Sequence, residues 1–186
     1  MIPFRSLEEV MRNLYRPLLF VLLVTGFVVA QDKASRPSPP GTASVSFADG
    51  HKVTIDYGRP SMKGRKIMGE LVPYGKVWRT GANEATSLTT DTDLVIGGTT
   101  VPKGAYTVYT LPGEMAWKLI INKQTKQWGT VYDEKQDLAR INLVSAKTSA
   151  PVEQFTISLD QAGGDAAKLK LEWENTSVSV DVKEKK

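Results

Sequence analysis

The chain has 186 residues, 41% hydrophobic and 24% charged, with 24 Lys and Arg against 20 Asp and Glu, a single His and no Cys. Such proportions belong to a globular protein, and the lack of cysteine excludes a disulfide framework, a thiolate metal centre and a cysteine nucleophile. A net charge of only +4 gives no electrostatic basis for a nucleic-acid partner.

The N-terminus reads as an address. An apolar run from Leu18 to Ala30 follows Arg12 and Arg16 and gives way at once to Gln31-Asp32-Lys33. A basic segment, a short apolar segment and a small residue at Ala30 predict a secretory signal peptide over residues 1–30, cleaved after Ala30. Met11 opens the more typical basic segment and is an alternative start. The run is shorter than the ~20 residues a spanning helix needs, so no membrane span is expected after cleavage. The expected location is the periplasm or the exterior. Losing Arg5, Glu8, Glu9, Arg12 and Arg16 leaves a net charge of +3.

Residues 31–42 hold Pro37, Pro39 and Pro40 among Ser, Gly and Thr, the composition of an extended linker. A single domain is expected over 43–183, followed by a charged tail, 184–186. Within it the hydrophobic period is two. Val45 and Phe47 alternate with Ser44 and Ser46, and Val53, Ile55 and Tyr57 with Lys52, Thr54 and Asp56. Asp49-Gly50 between them is a hairpin signal. Further strands are predicted around Trp117-Leu119-Ile121, Ile141-Leu143 and Phe155-Ile157-Leu159, then around Leu169-Leu171-Trp173 and Val178-Val180-Val182. Turn chemistry recurs at Gly97-Gly98, Pro102-Lys103-Gly104, Leu111-Pro112-Gly113 and Asn175-Thr176, the last placed in a hairpin turn. Only Tyr132–Arg140 offers a turn or two of helical spacing. About nine short strands predict an all-β fold, an antiparallel β-sandwich or partly closed barrel.

Residues 57–86 break the alternation. Tyr57-Gly58-Arg59-Pro60-Ser61, Lys63-Gly64-Arg65, Leu71-Val72-Pro73-Tyr74-Gly75 and Trp78-Arg79-Thr80-Gly81-Ala82-Asn83-Glu84-Ala85-Thr86 closely resemble a family of exported bacterial proteins catalogued as a domain of unknown function, DUF2911. The resemblance continues through Gly104-Ala105-Tyr106, Trp128-Gly129, Tyr132-Asp133 and Arg140, and spans the chain from about Val45 onward. It implies a bacterial envelope or secreted protein and supplies no activity.

Several chemistries fall away. His51 stands beside the Asp49-Gly50 turn with no nucleophile elbow nearby, which fits a surface turn residue better than a triad. One His and no Cys exclude a histidine-rich or cysteine-based metal centre, and Asp91-Thr92-Asp93 lacks the glycine and glutamate of a calcium loop. No cofactor motif is present. What remains is charge: from Arg59 to Arg79 the segment carries Arg59, Lys63, Arg65, Lys66, Lys76 and Arg79 against Glu70 alone. One expectation is therefore a binding protein in which Arg59, Lys63, Arg65, Arg79, Asn83, Trp128 and Asp133 hold an anionic ligand, a phosphate- or carboxylate-bearing glycan. A second is a hydrolase or lyase on such a glycan with Glu84 as acid or base and Glu70 or Asp133 as partner. A third is a purely structural envelope protein.

Overall fold

The computed structural model describes residues 38–186, so the leader, its cleavage point and most of the linker lie outside the described residues. Nine strands form one antiparallel sheet, in the order β1-β2-β3-β6-β7-β8-β9-β4-β5. They are β1 (Pro40–Ser46), β2 (Lys52–Gly58), β3 (Thr86–Thr90), β4 (Leu94–Ile96), β5 (Thr99–Val101), β6 (Gly104–Leu111), β7 (Trp117–Asn122), β8 (Asp137–Gly163) and β9 (Ala166–Glu184). The all-β expectation holds, and the sheet does not close into a barrel because β1 and β5 remain its two edges. Among the described residues no helix is long and apolar enough to cross a membrane. The helical spacing at Tyr132–Arg140 yields a single 3-10 turn, Glu134–Gln136.

Two long strands turn this sheet into a two-layered body. The first part of β8 pairs with β7 as far as Leu143, and the rest pairs with β9, whose last residues pair with β4. The sheet therefore folds over along β8 and brings its two halves face to face. Val53, Ile55, Leu88, Val108, Leu119 and Ile121 from one half meet Leu94, Ile96, Leu159, Leu169 and Val182 from the other. The apolar residues singled out by the alternation, from Val45 to Val182, are buried in this core, as period-two strands with one wet face require.

Asn175-Thr176 is not a hairpin turn. β9 runs straight through it, with Glu174 in the left-handed region at φ 56° and the pairing to β8 slipping on either side. The reason lies in the alternation itself: Leu169, Leu171 and Trp173 are odd-numbered, Val178, Val180 and Val182 even-numbered, and all six are buried. Successive side chains point to opposite faces, so a bulge must absorb the change of phase. The bounds shift as well. β1 takes in Pro40–Thr42 from the expected linker, and β9 takes in Glu184, a buried residue, from the expected tail.

The irregular segment between β2 and β3 closes one end of this body. Ile67 and Val72 are fully buried, and Met62, Met68 and Trp78 pack against the core. Trp78 stacks on Trp173 (5.8 Å between ring centroids) and meets Phe155 edge-on (4.9 Å). Glu174 anchors the segment by accepting from the backbone N–H groups of Ile67 (3.3 Å) and Met68 (2.9 Å).

Candidate functional site

The loop Trp78–Ala85 is held in an unusual conformation. Thr80 (φ 55°) and Asn83 (φ 65°) both occupy the left-handed region, which asparagine tolerates and a β-branched threonine does not. Thr80 is fully buried, and a threonine cluster fixes it: its Oγ1 donates to the Trp78 carbonyl (3.2 Å) and contacts Thr110 Oγ1 (3.1 Å), and its carbonyl accepts from Thr86 Oγ1 (2.8 Å). Strain of this kind costs about 1–3 kcal/mol and persists only where the surroundings over-determine it, often at a ligand clamp. Two glycines let the loop seat closely. A Cβ on Gly58 would stand 2.2 Å from the Ala82 carbonyl oxygen, and one on Gly129 would stand 2.6 Å from Arg79 Cδ and 2.8 Å from the Asn83 carbonyl oxygen. The Gly58 and Gly129 of the family signature are thus contact points for its Trp78–Thr86 stretch.

Beside this loop lies a cleft of about 460 Å³. Its floor is the outer face of β1, β2 and β3, where Thr42 pairs with Asp56 and Asp56 with Ser87 in one cross-strand row. Thr42 Oγ1 donates to Asp56 Oδ1 at 2.5 Å. Asn83, Glu84 and Ala85 wall one side, and Ser38, Pro40 and Gly41 also line it. Asn83 Nδ2 donates to the Ser38 carbonyl at 3.0 Å, tying loop and strand entrance together. Glu84 forms a β-bridge with Trp128, and opposed residues in such a bridge present their Cβ atoms side by side. Trp128 is 52% exposed, an aromatic surface next to the cleft's carboxylate. Among the described residues the lining contains Asp56 and Glu84 and no Lys or Arg.

A smaller groove of about 180 Å³ lies among Val77, Trp78, Arg79, Tyr109, Gly129, Thr130 and Tyr132. Arg79 Nε donates to the Gly81 carbonyl at 3.2 Å. Tyr132 donates to Asp137 Oδ2 and accepts from Arg140 Nη2, both at 2.7 Å. Burial, with the Asp137 carboxylate adding to it, pushes the Tyr132 hydroxyl up to about 12. The hydrogen bond to Asp137 raises Arg140 in turn.

The expected basic site is dispersed. Arg59 lies over Gly41 and donates from Nη2 to Thr156 Oγ1 (3.3 Å) and from Nε to the Phe155 carbonyl (3.5 Å). Arg65 curls onto its own loop, donating to the carbonyls of Met62 (2.9 Å) and Ser61 (2.7 Å). Lys63 is exposed and gives its backbone N–H to Glu153. Arg79 lines the smaller groove and Asn83 the larger cleft, and neither Arg59 nor Arg65 is among the described residues that line these two concavities. Of the carboxylates weighed as partners for Glu84, Glu70 pairs with Lys66 at 3.5 Å and Asp133 caps the 3-10 turn through the Lys135 N–H. The carboxylate that shares the cleft with Glu84 is Asp56. Asp91 and Asp93 do not join in a cation loop: each accepts from a backbone N–H, of Lys52 and Lys103 respectively.

Sequence reasoning missed Asp56, Thr42 and Ser87, yet a signal for two of them existed. The burial phases of β1 and β2 require odd residues to face odd ones, and a turn near Asp49-Gly50 then sets Thr42 opposite Asp56.

Fold and cleft together define an all-β protein of one folded antiparallel sheet, with a polar, carboxylate-bearing concavity on its outer face. Residues 38–182 match the family described as Protein of unknown function (DUF2911), and the chain belongs to that family. No curated protein and no solved structure matches it.

Proposed function

We propose that this is an exported envelope protein that binds a glycan in the cleft between Asp56 and Glu84. The observation that carries the reading is the lining: among the described residues it holds two carboxylates, an amide and a row of hydroxyls. Carboxylates accept strong hydrogen bonds from neutral hydroxyl donors. A sugar offers many hydroxyl donors and an apolar ring face, and Trp128 beside Glu84 supplies a surface for that face. The favoured ligand is thus a neutral or amino-bearing glycan, because Arg59, Arg65 and Arg79, which were expected to hold an acidic group, are not among the described residues that line the cleft. The leader read in residues 1–30 supports export, where such glycans are met.

Two carboxylates in one cleft also favour a second reading, a glycoside hydrolase with Glu84 and Asp56 as the pair. One set of proteins tests both. Calorimetry with soluble neutral and amino-sugar oligosaccharides is expected to show saturable binding. Glu84→Gln, Asp56→Asn and Trp128→Ala should each weaken it at least about tenfold, the loss of one good hydrogen bond or stacking contact. New reducing ends, produced by the native chain and lost in Glu84→Gln and Asp56→Asn, would identify the hydrolase. Binding unchanged by all three substitutions would remove the cleft from consideration.

A further inference from the structure

A separate cluster joins the β1–β2 turn to the end of β9. His51 Nδ1 lies 2.6 Å from Glu184 Oε1 and 3.1 Å from Asp49 Oδ2, and the donor atoms of all three residues lie within 4.8 Å of one another. Asp49 and His51 are exposed on the turn, whereas the Glu184 side chain is only 4% exposed. Thr92 Oγ1 also donates to Glu184 Oε1, at 2.8 Å, so the carboxylate is fixed from behind. The partners come from positions 49, 51, 92 and 184, brought together by the pairing of β9 with β4.

The geometry asks for more positive charge than the side chains supply. Nδ1 faces two carboxylate oxygens. If it carries a proton, that one N–H must serve two acceptors; if it does not, its lone pair faces oxygens that bear only lone pairs. Among the described residues no Lys or Arg is ion-paired with Asp49 or Glu184, so His51 is the one cation available to two carboxylates. The other acidic groups at this end offer no relief. Asp91 and Asp93 accept from backbone N–H groups, and Asp165 is paired with Lys186 at 3.4 Å. A divalent ion would accept all three lone pairs and neutralise both carboxylates. Tetrahedral coordination with bonds of about 2.0–2.1 Å spaces its donors about 3.3 Å apart. His51 Nδ1 stands about 0.7 Å nearer to Glu184 Oε1 and about 0.2 Å nearer to Asp49 Oδ2 than that, so loading must spread the cluster, and Asp49 and His51, exposed on the turn, are the side chains that can move.

We propose that Asp49, His51 and Glu184 form a binding site for a divalent transition-metal ion of the zinc type, which clamps the first hairpin to the last strand. One nitrogen and two oxygen donors suit such an ion, and a clamp between residues so far apart in the chain stabilises the folded state on loading. The experiment uses the purified protein with no affinity tag, stripped by a chelator and titrated with cobalt(II) by absorption and with zinc(II) by calorimetry. Uptake of one ion per chain, a visible cobalt band and a raised melting temperature are expected. His51→Gln and Asp49→Asn, both at exposed positions, should each weaken uptake at least about tenfold, the lower end of what even outer-shell substitutions cost. Glu184→Gln should do the same, with circular dichroism to check that it folds. Uptake should weaken in acid, since the imidazole must lose its proton to bind. No saturable uptake by the native protein, or uptake unaltered in His51→Gln and Asp49→Asn, would overturn the site. So would stability that follows pH and ignores metal, which would make the cluster a proton-sharing latch.

Discussion

Tyr132 illustrates how a single side chain ties the smaller groove to the scaffold. Its hydroxyl donates to Asp137 and accepts from Arg140, while its ring meets Tyr109 edge-on at 4.9 Å. Tyr132→Phe keeps the ring and removes both hydrogen bonds, so it should lower stability by about 1 kcal/mol at neutral pH. The pH dependence has a definite sign. The folded protein holds the hydroxyl near 12, above the ~10 of an unfolded chain. Its contribution is therefore complete below about pH 10 and fades as the pH rises towards 12. The gap between native and Tyr132→Phe in denaturant midpoints should narrow across that window; a constant gap would separate the hydroxyl from the network. At this scale the sequence was partly legible. Asn83 and Glu84 stood out because their surroundings break the strand pattern, and Trp128 because it belongs to the family signature. Asp56 did not, because an aspartate on the wet face of a clean strand looks like any solvated residue until its cross-strand neighbours are known. Glu184 was hidden for a related reason: among terminal charges, nothing local marks the one that is buried.

Elements show the same division between local and distant information. Alternation located the apolar face of each strand, because that pattern is set by the chain's own geometry. It could not show that the last two predicted strands are one, since a bulge and a turn both interrupt the phase. Glu174 is the residue that decides this, and it has a second task in holding the Ile67–Met68 backbone. Glu174→Ala should leave two N–H groups without their acceptor, at about 1–3 kcal/mol each when buried. Glu174→Gln keeps an acceptor and should cost less. Chemical denaturation of the two variants checks the order. Equal, small losses would mean that the segment over the core end is held by its apolar contacts alone. The dispersal of the arginines belongs here too. A run of basic residues measures charge along the chain, whereas an irregular loop spends its guanidinium groups on its own carbonyls, as Arg65 does.

For the whole molecule, β9 is the organising strand, paired with β8 along its length and with β4 at its end. It buries Leu169, Leu171, Trp173, Val178, Val180 and Val182. At roughly 1.5–3 kcal/mol for each large apolar side chain, their loss is as large as the ~5–15 kcal/mol by which such a domain is stable. Removal of residues 166–186 should therefore abolish cooperative melting. A truncated chain that melts cooperatively at the native temperature would reduce β9 to an appendage.

The place of β9 also fixes the order of events in time. β4 is made early but waits for Val182–Glu184 before it has a long neighbour, Tyr57 waits for Ile157, and His51 waits for Glu184. Such distant pairings must repay a large loop-closure entropy before they yield anything. Strands β1, β2, β3, β6 and β7 can pair among themselves, but their apolar face has no opposing layer until β9 is in place. The two-layered body is therefore incomplete until residues up to Glu184 have joined it, and its apolar faces stay uncovered until then. A polypeptide that must be threaded through a narrow passage before it becomes compact would gain from such a schedule.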